Sequence, residues 1–338
     1  MSEIFMNSEL IAFLRSPRSK SPLRLEGDEL VSDDGEERFP ITGGVPRLAG
    51  EAYVGSFGRQ WNRYDVARTE EDEAVFAVKT GVAPGELAGK LVLDAGCGGG
   101  RYARILGEAG ARVLGLDLSG AVKKASESCR TLPNVQIVQG DLLDPPVAEA
   151  AFDLVFSIGV LHHAPDPRRA FAQIAKRVKP GGRLAVWLYR KNTAPQEWIN
   201  SGVRLVSTRL PARALESLCV ALGVLGSVPV VNRTLNKVFN FSAHPDWTLR
   251  VCDNFDWWAP KYQSHHTLSE LFRWFEEEGF EDLRELRPMK SGRLYEWAYD
   301  RDLVIGSGVN VRGRRRGFQK PPPPSLRTDD PTLIGSGA

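Results

Sequence analysis

The sequence predicts an α/β protein built on a doubly wound, mostly parallel sheet. Three observations carry that expectation. From residue 91 onward, apolar runs of strand length alternate with segments of helical periodicity. Three of those runs lead into an acid: Asp94, Asp117 and Asp141. A turn of small residues, "AGCGGG" at 95–100, joins the first run to the first helix. Strands buried on both faces read as unbroken apolar segments, and sheets wound from such βαβ units bind ligands at the strands' C-terminal ends.

At 338 residues, with 42% hydrophobic and 25% charged side chains, the chain can bury two domain cores or one elaborated one. A formal net charge of +2 provides no general attraction to nucleic acid or to a membrane. The four cysteines are scattered without a C-x-x-C pair, and the start "MSEIFMNSEL" lacks a secretory signal's basic and apolar regions. A cytoplasmic protein with reduced thiols is expected. The stretch "SLCVALGVLGSVPVV" (217–231) carries no charge, but it is too short to span a bilayer and is interrupted by Gly223, Gly226 and Pro229. It reads as a buried cap helix rather than a membrane contact.

The elements follow in order. "LVLDA" (91–95) is a buried strand, and "RYARILGEAGA" (101–111) places Tyr102, Ile105 and Leu106 at helical spacing with Gly110 as a stop. Between them Gly96 and Gly98 are free to take positive φ and let a ligand lie against the backbone, facing the amides of the next helix. The dinucleotide fingerprint G-x-G-x-x-G is not met, because Arg101 stands in the third glycine's place. "ARVLGLDLSG" (111–120) is a second strand ending in Asp117, an acid placed to accept ribose hydroxyls. "VQIVQGDLLD" (135–144) is a third, leading to Asp141, whose carboxylate and neighbouring amides are placed to read an adenine edge. "AFDLVFSIGVLHHAPDP" (151–167) is a fourth, followed by a loop carrying His162 and His163. "AFAQIAKRVKPGGRLAVWLY" (170–189) is a helix, a turn and a fifth strand. "TLSELFRWFEEEGFEDL" (267–283) is the last sheet helix, with Thr267 and Glu270 spaced as a capping box. "EDLRELRP" is strand six, and strand seven is either "RDLVIG" or "GVNVRGR".

The stretches "VLDAGCGGGR", "GLDLS", "GDLLD", "FDLVFSIGVLHH" and "VKPGGRL", in order between residues 91 and 189, resemble the class I S-adenosylmethionine-dependent methyltransferases of the type 11, ubiquinone-menaquinone methyltransferase-like kind. The resemblance implies a Rossmann-like, seven-stranded sheet and S-adenosyl-L-methionine as cofactor. It implies that Asp94, Gly96 and Gly98 cradle the methionine end, that Asp117 with Leu118 holds the ribose, and that Asp141 and Leu142 hold the adenine. Ser157 would be the backbone position nearest the methionine ammonium. Tyr64, in the aromatic segment "SFGRQWNRYDVAR" (56–68), would touch the cofactor from a lid. The cofactor has no pyrophosphate, so the missing third glycine is tolerable, and its sulfonium and ammonium suit an acid at Asp94.

The first fifty residues resemble a small zinc ribbon whose framework survives in "SP", "ELV" and "FPITGGVPRL". Its four ligand positions carry Ser16, Ser19, Ser32 and Gly35, which offer no thiolate, so a metal-free β-structured segment is expected. The implied division is 1–50 for this segment, 51–190 with 267–316 for the catalytic domain, 191–266 for a helical substrate cap and 317–338 for a disordered tail. The cap is aromatic, which favours a small organic acceptor. Methyl transfer to oxygen or carbon needs a base, and His162 or His163 at the end of strand four is the candidate. No metal is expected at either histidine pair, because adjacent side chains diverge. The function expected is methyl transfer to oxygen, carbon or nitrogen of a small acceptor. The alternative is a tRNA or other macromolecular methyltransferase. Against it stand the near-neutral charge and "SIGV" where an N-P-P-Y type loop would be. An NAD-dependent oxidoreductase is disfavoured by Arg101. The sequence leaves the oligomeric state open.

Overall fold

The computed structural model describes residues 6–50, 69–191, 194–228, 230–231, 240–242, 244–286 and 308–317. A short helix α1 (Ser8–Ile11) precedes an antiparallel sheet of β1 (Leu23–Glu26), β2 (Glu29–Ser32), β3 (Arg38–Thr42) and β4 (Val45–Pro46). The larger unit begins with α2 (Thr69–Thr80) and continues β5 (Leu91–Ala95), α3 (Arg101–Glu108), β6 (Arg112–Asp117), α4 (Val122–Cys129), β7 (Val135–Gln139) and β8 (Phe152–Ile158). Then come α5 (Pro167–Ala175) and β9 (Val178–Tyr189). An inserted group of helices follows, α6 (Ala194–Ser207), α7 (Ala212–Gly226) and α8 (Trp247–Trp258). The chain closes with α9 (Leu268–Glu277), β10 (Phe280–Glu285) and β11 (Gly308–Arg315).

The large sheet has the order β10-β11-β9-β8-β5-β6-β7. Strands β5 to β9 pair in parallel, and β11 runs antiparallel to both its neighbours. The seventh strand is therefore the "GVNVRGR" segment, while "RDLVIG" lies outside the described residues. From β5 the chain steps outward through β6 to β7, then returns to lay β8 on the other side of β5. This reversal opens a crevice at the C-terminal ends of β5 and β8.

Period-two alternation lets one apolar run fill two layers. Leu93, Ala95, Leu114, Leu116 and Val155 enter one core, and Val92, Val113, Leu154 and Phe156 the other. The helices start where their caps dictate. Thr267 Oγ1 accepts from the Glu270 amide and Glu270 reaches back to the Thr267 amide. Asp166 accepts from the Arg169 amide ahead of Pro167 at the first helical position.

The N-terminal sheet packs onto the large one. The Leu48 amide donates to the Gln139 carbonyl (3.0 Å) at the β7 edge, the Arg15 amide donates to Pro146 O (2.8 Å), and Leu10, Leu14, Leu30 and Leu48 share a core with Leu93 and Leu116. Ser16, Ser19, Ser32 and Gly35 come together here in a hydrogen-bonded network. Ser16 Oγ donates to the Glu37 carboxylate, Ser19 Oγ to Ser16 Oγ (3.1 Å), the Glu37 amide to Ser32 Oγ (3.0 Å) and the Gly35 amide to Ser32 O (2.7 Å). Ser32 Oγ also donates to Asp34.

The inserted helices have a core of their own, in which Leu215, Cys219 and Leu222 of α7 meet Phe241, Val251, Phe255 and Trp258. Here one expectation is corrected. The stretch 217–231 is not a buried helix: it buries one stripe and leaves Val220, Val224, Leu225 and Val228 exposed to solvent. Its uniform apolarity concealed which face had a neighbour. The lid segment with Tyr64 and the tail 318–338 lie outside the described residues.

Candidate active site

The crevice is lined first by the turn after β5. Gly96 has φ +100°, Gly98 +51° and Gly100 +83°, values that L side chains rarely adopt. A Cβ on Gly96 would lie 2.4 Å from Val160 Cγ2, which folds over the turn from the loop after β8. A Cβ on Gly100 would lie 2.8 Å from Ala125 Cα, where α3 crosses α4. Gly100 thus provides close helix–helix packing, where the third glycine of the dinucleotide fingerprint provides close helix–strand packing. Arg101 is released for another task. Its guanidinium pairs with the buried Asp72 of α2 (3.3 Å) and donates to Tyr102 Oη (2.7 Å). Neither Asp72 nor this role of Gly100 had a signal in the sequence.

Asp94 is 1% exposed at the end of β5, and its Oδ2 has no hydrogen-bond partner. Burial, reinforced by Asp117 nearby, pushes its carboxyl well above the usual carboxylate range. Asp117, at the end of β6, has both oxygens engaged. Oδ2 accepts from the Gly98 amide (2.9 Å), and Oδ1 accepts from Ser119 N (2.8 Å) and Ser119 Oγ (2.7 Å). Burial raises its pKa against the pull of those hydrogen bonds. A carboxylate oxygen accepts about two hydrogen bonds, so Oδ2 keeps room for one ribose hydroxyl, and a second requires Ser119 Oγ to rotate away.

The remaining predicted cofactor residues lie around the same strand ends. Leu118 is buried and its carbonyl accepts from Gln139 Nε2 (2.9 Å). Asp141 Oδ1 accepts from the Leu143 amide (2.9 Å), and Leu142 is buried beside it. The Ser157 hydroxyl donates to the Ala95 carbonyl (2.7 Å), tying β8 to β5, so only its backbone is available to a ligand. These residues fit S-adenosylmethionine. A buried, unpartnered carboxylate suits a cationic sulfonium or ammonium group, and the glycine turn leaves the backbone bare beside it.

At the ends of β8 and β9 the two candidate bases differ. His162 is fully buried and stacks on Tyr189 with centroids 3.9 Å apart and planes at 24°. Neither of its ring nitrogens has a hydrogen-bond partner, and burial with the neighbouring histidines holds its pKa well below the usual value. His163 is oriented instead. Its Nδ1 lies 3.1 Å from the Tyr262 carbonyl, which makes Nδ1 the donor, and Nε2 lies 3.6 Å from Asp256 Oδ2. The Tyr189 hydroxyl donates to the same Asp256 oxygen. Burial and Asp256 raise the Tyr189 phenol well above its ordinary value. Lys79 of α2 stands 3.9 Å over the Trp187 ring, and burial lowers its pKa to about 7. Sequence reading missed Lys79, Tyr189 and Asp256, which come from three distant segments.

The chain is similar to known methyltransferases. Residues 93–186 match a family model described as a methyltransferase domain. A ubiquinone biosynthesis O-methyltransferase of Idiomarina loihiensis is 36% identical over 118 residues, covering 33% of this chain and 47% of its own. One from Coxiella burnetii is 33% identical over 129 residues, covering 37% and 54%. An uncharacterized protein of Synechococcus is 28% identical over 262 residues, covering 73% of this chain and 58% of its own. The chain thus spans about half the length of the curated relatives it matches. A solved S-adenosylmethionine dependent methyltransferase from Mesorhizobium loti, 20% identical, superposes with a TM-score of 0.42 over 68% of this chain and 93% of that one. The matched stretch starts within β5 and ends within β9, the strands that build the crevice, so that residues 93–186 carry the methyltransferase domain of this chain.

Proposed function

We propose that the protein transfers a methyl group from S-adenosylmethionine to a small organic acceptor, and that the acceptor atom is a hydroxyl oxygen. The observation that carries the methyltransferase reading is Asp94, a buried carboxylate with one oxygen unpartnered at the switch point of the sheet. The names of the curated relatives favour oxygen as the acceptor atom.

Bound S-adenosylmethionine supplies an electrophilic methyl on a sulfonium. Asp94 and the glycine turn orient the methionine end, Asp117 the ribose, and Asp141 with Leu142 the adenine. His163 acts as the base. With Nδ1–H held by the Tyr262 carbonyl, Nε2 is the ring nitrogen left in the acceptor form, the one that would take the acceptor's proton. Asp256 then stabilises the imidazolium, and Tyr189 fixes the carboxylate that does so. His162 serves as the packed wall behind this arrangement.

The test is transfer of a labelled methyl group from the cofactor into a cell extract, followed by fractionation. Label in a small organic compound, released as methyl iodide by hydriodic acid, supports the proposal. Label in tRNA or protein, or in an amine, overturns the acceptor class.

A further inference from the structure

Helix α6 is folded inside out. Its buried positions are polar: Gln196, Asn200 and Ser207 are 1%, 3% and 1% exposed. They are tied inward, Gln196 Nε2 to Asn240 Oδ1 (2.7 Å) and Ser207 Oγ to the Trp258 carbonyl (2.9 Å). Its exposed positions are mostly apolar: Trp198 at 77%, Leu205 at 62% and Val206 at 62%, with Ile199 beside them, and Ser201 is exposed too. The spacing 198, 199, 202, 205, 206 is one continuous helical stripe, interrupted only by Gly202. Helix α7 also exposes Val220 and Val224, and Val228 just beyond its end is exposed too. Isolated exposed apolar residues need no explanation, but a solvent-facing stripe on a helix whose polar side is buried does.

Charge decides what covers it. Residues 198–231 contain three arginines, Arg204, Arg209 and Arg213, and one acid, Glu216. An open cleft at the edge of the stripe is lined by Lys191, Arg204, Arg209 and Lys261, and its one carboxylate, Glu197, is taken by His265 Nδ1 (2.6 Å). Lys191, Arg209, Arg213 and Lys261 are exposed. A second copy docked face to face would bring these cations against one another. An apolar stripe with an exposed tryptophan and a rim of cations instead matches an anionic bilayer, whose acyl boundary takes the stripe while its head groups meet the rim.

We propose that the exposed stripe of α6 docks the protein on an anionic lipid bilayer, lying on it without crossing it. Among the described residues no helix is long and apolar enough to cross a membrane. The inference does not rest on the acceptor proposed above. It would place the cap against the reservoir of any acceptor that partitions into lipid.

The experiment is co-sedimentation of the full chain with vesicles of phosphatidylglycerol and phosphatidylcholine in equal parts, compared with vesicles of phosphatidylcholine alone. Binding is expected to the former, reduced at least about tenfold by Leu205→Asp with Val206→Asp, or by Arg209→Glu with Arg213→Glu, and weakened as salt rises. Melting temperature and calorimetric binding of S-adenosylmethionine, unchanged in both variants, show that they are folded. No sedimentation with either vesicle overturns the proposal, as does equal binding to phosphatidylcholine alone or binding that both variants retain. A dimer in light scattering that Leu205→Asp with Val206→Asp dissolves, without vesicle binding, assigns the face to a second copy and equally overturns it.

Discussion

At the residue scale, the two acids of the crevice are both raised in pKa by burial but differ in their partners: one oxygen of Asp94 has none, and both oxygens of Asp117 are engaged. Asp94 is buried, unpartnered and raised in pKa, so its ionised form opposes folding of the cofactor-free protein. Its folded pKa lies above its unfolded one. The stability it contributes is therefore present at low pH and lost as pH rises through the folded value. Asp94→Asn should raise the melting temperature of the cofactor-free protein at neutral pH while weakening S-adenosylmethionine binding. Scanning calorimetry and titration on the same variant check both, and a lower melting temperature would contradict the account. Asp117 anchors the glycine turn through the Gly98 amide and is the residue proposed to hold the ribose. Asp117→Ala should weaken binding by about 2–3 kcal/mol, roughly 30- to 150-fold. The two histidines separate in the same way. His163→Ala should lower kcat by about 10²- to 10⁴-fold with cofactor affinity nearly intact. His162→Phe should keep both turnover and melting temperature, since a fully buried ring with two unpartnered nitrogens loses nothing by becoming apolar. Steady-state kinetics that reverse this ranking would move the base to His162.

At the element scale, the strands and caps could be read from the sequence because they depend on near neighbours. The apolar runs of β5 to β9 and the Thr267–Glu270 box are local patterns, and they appear where local physics puts them. The close approach of α3 to α4 was not legible. Gly100 looks like any member of a glycine run until Ala125, twenty-five residues on, arrives within 2.8 Å of where its Cβ would be. Gly100→Ala combines that clash with a left-handed backbone and should cost at least about 2 kcal/mol. Thr267→Ala, which loses one cap on an exposed turn, should cost about 1 kcal/mol. Denaturant titration of the two variants should therefore give clearly different midpoints, with Gly100→Ala the lower.

At the scale of the whole molecule, the N-terminal sheet is part of the core. Leu10, Leu14, Leu30 and Leu48 are each 5% exposed or less and pack with the buried strands of the large sheet. Removing residues 1–50 would uncover that apolar surface along with the β7 edge. The truncated protein should aggregate or melt far below the full chain. A soluble fragment that binds S-adenosylmethionine with full affinity would show the two sheets to be independent. The serine network around Glu37 uses hydroxyls and carboxylates in place of thiolates, so chelator should leave the melting temperature of the full chain unchanged.

The sequence by itself determined the sheet, the order of its acids and the glycine turn, because each is written in a short window whose periodicity or turn chemistry has one inexpensive solution. The candidate cofactor residues at strand ends belong to that class: Asp94 and Asp117 are adjacent to the runs that place them. Only the tertiary structure decided which histidine is oriented, because that depends on Tyr262 and Asp256, carried by a separate insertion. It alone decided which strand is seventh, since "GVNVRGR" is selected by pairing with β9 and β10 and not by its own pattern. And it alone exposed the reversed polarity of α6 and the half-covered α7. A helix's hydrophobic periodicity shows that two faces differ, but which face meets the protein is settled by the partner that packs against it.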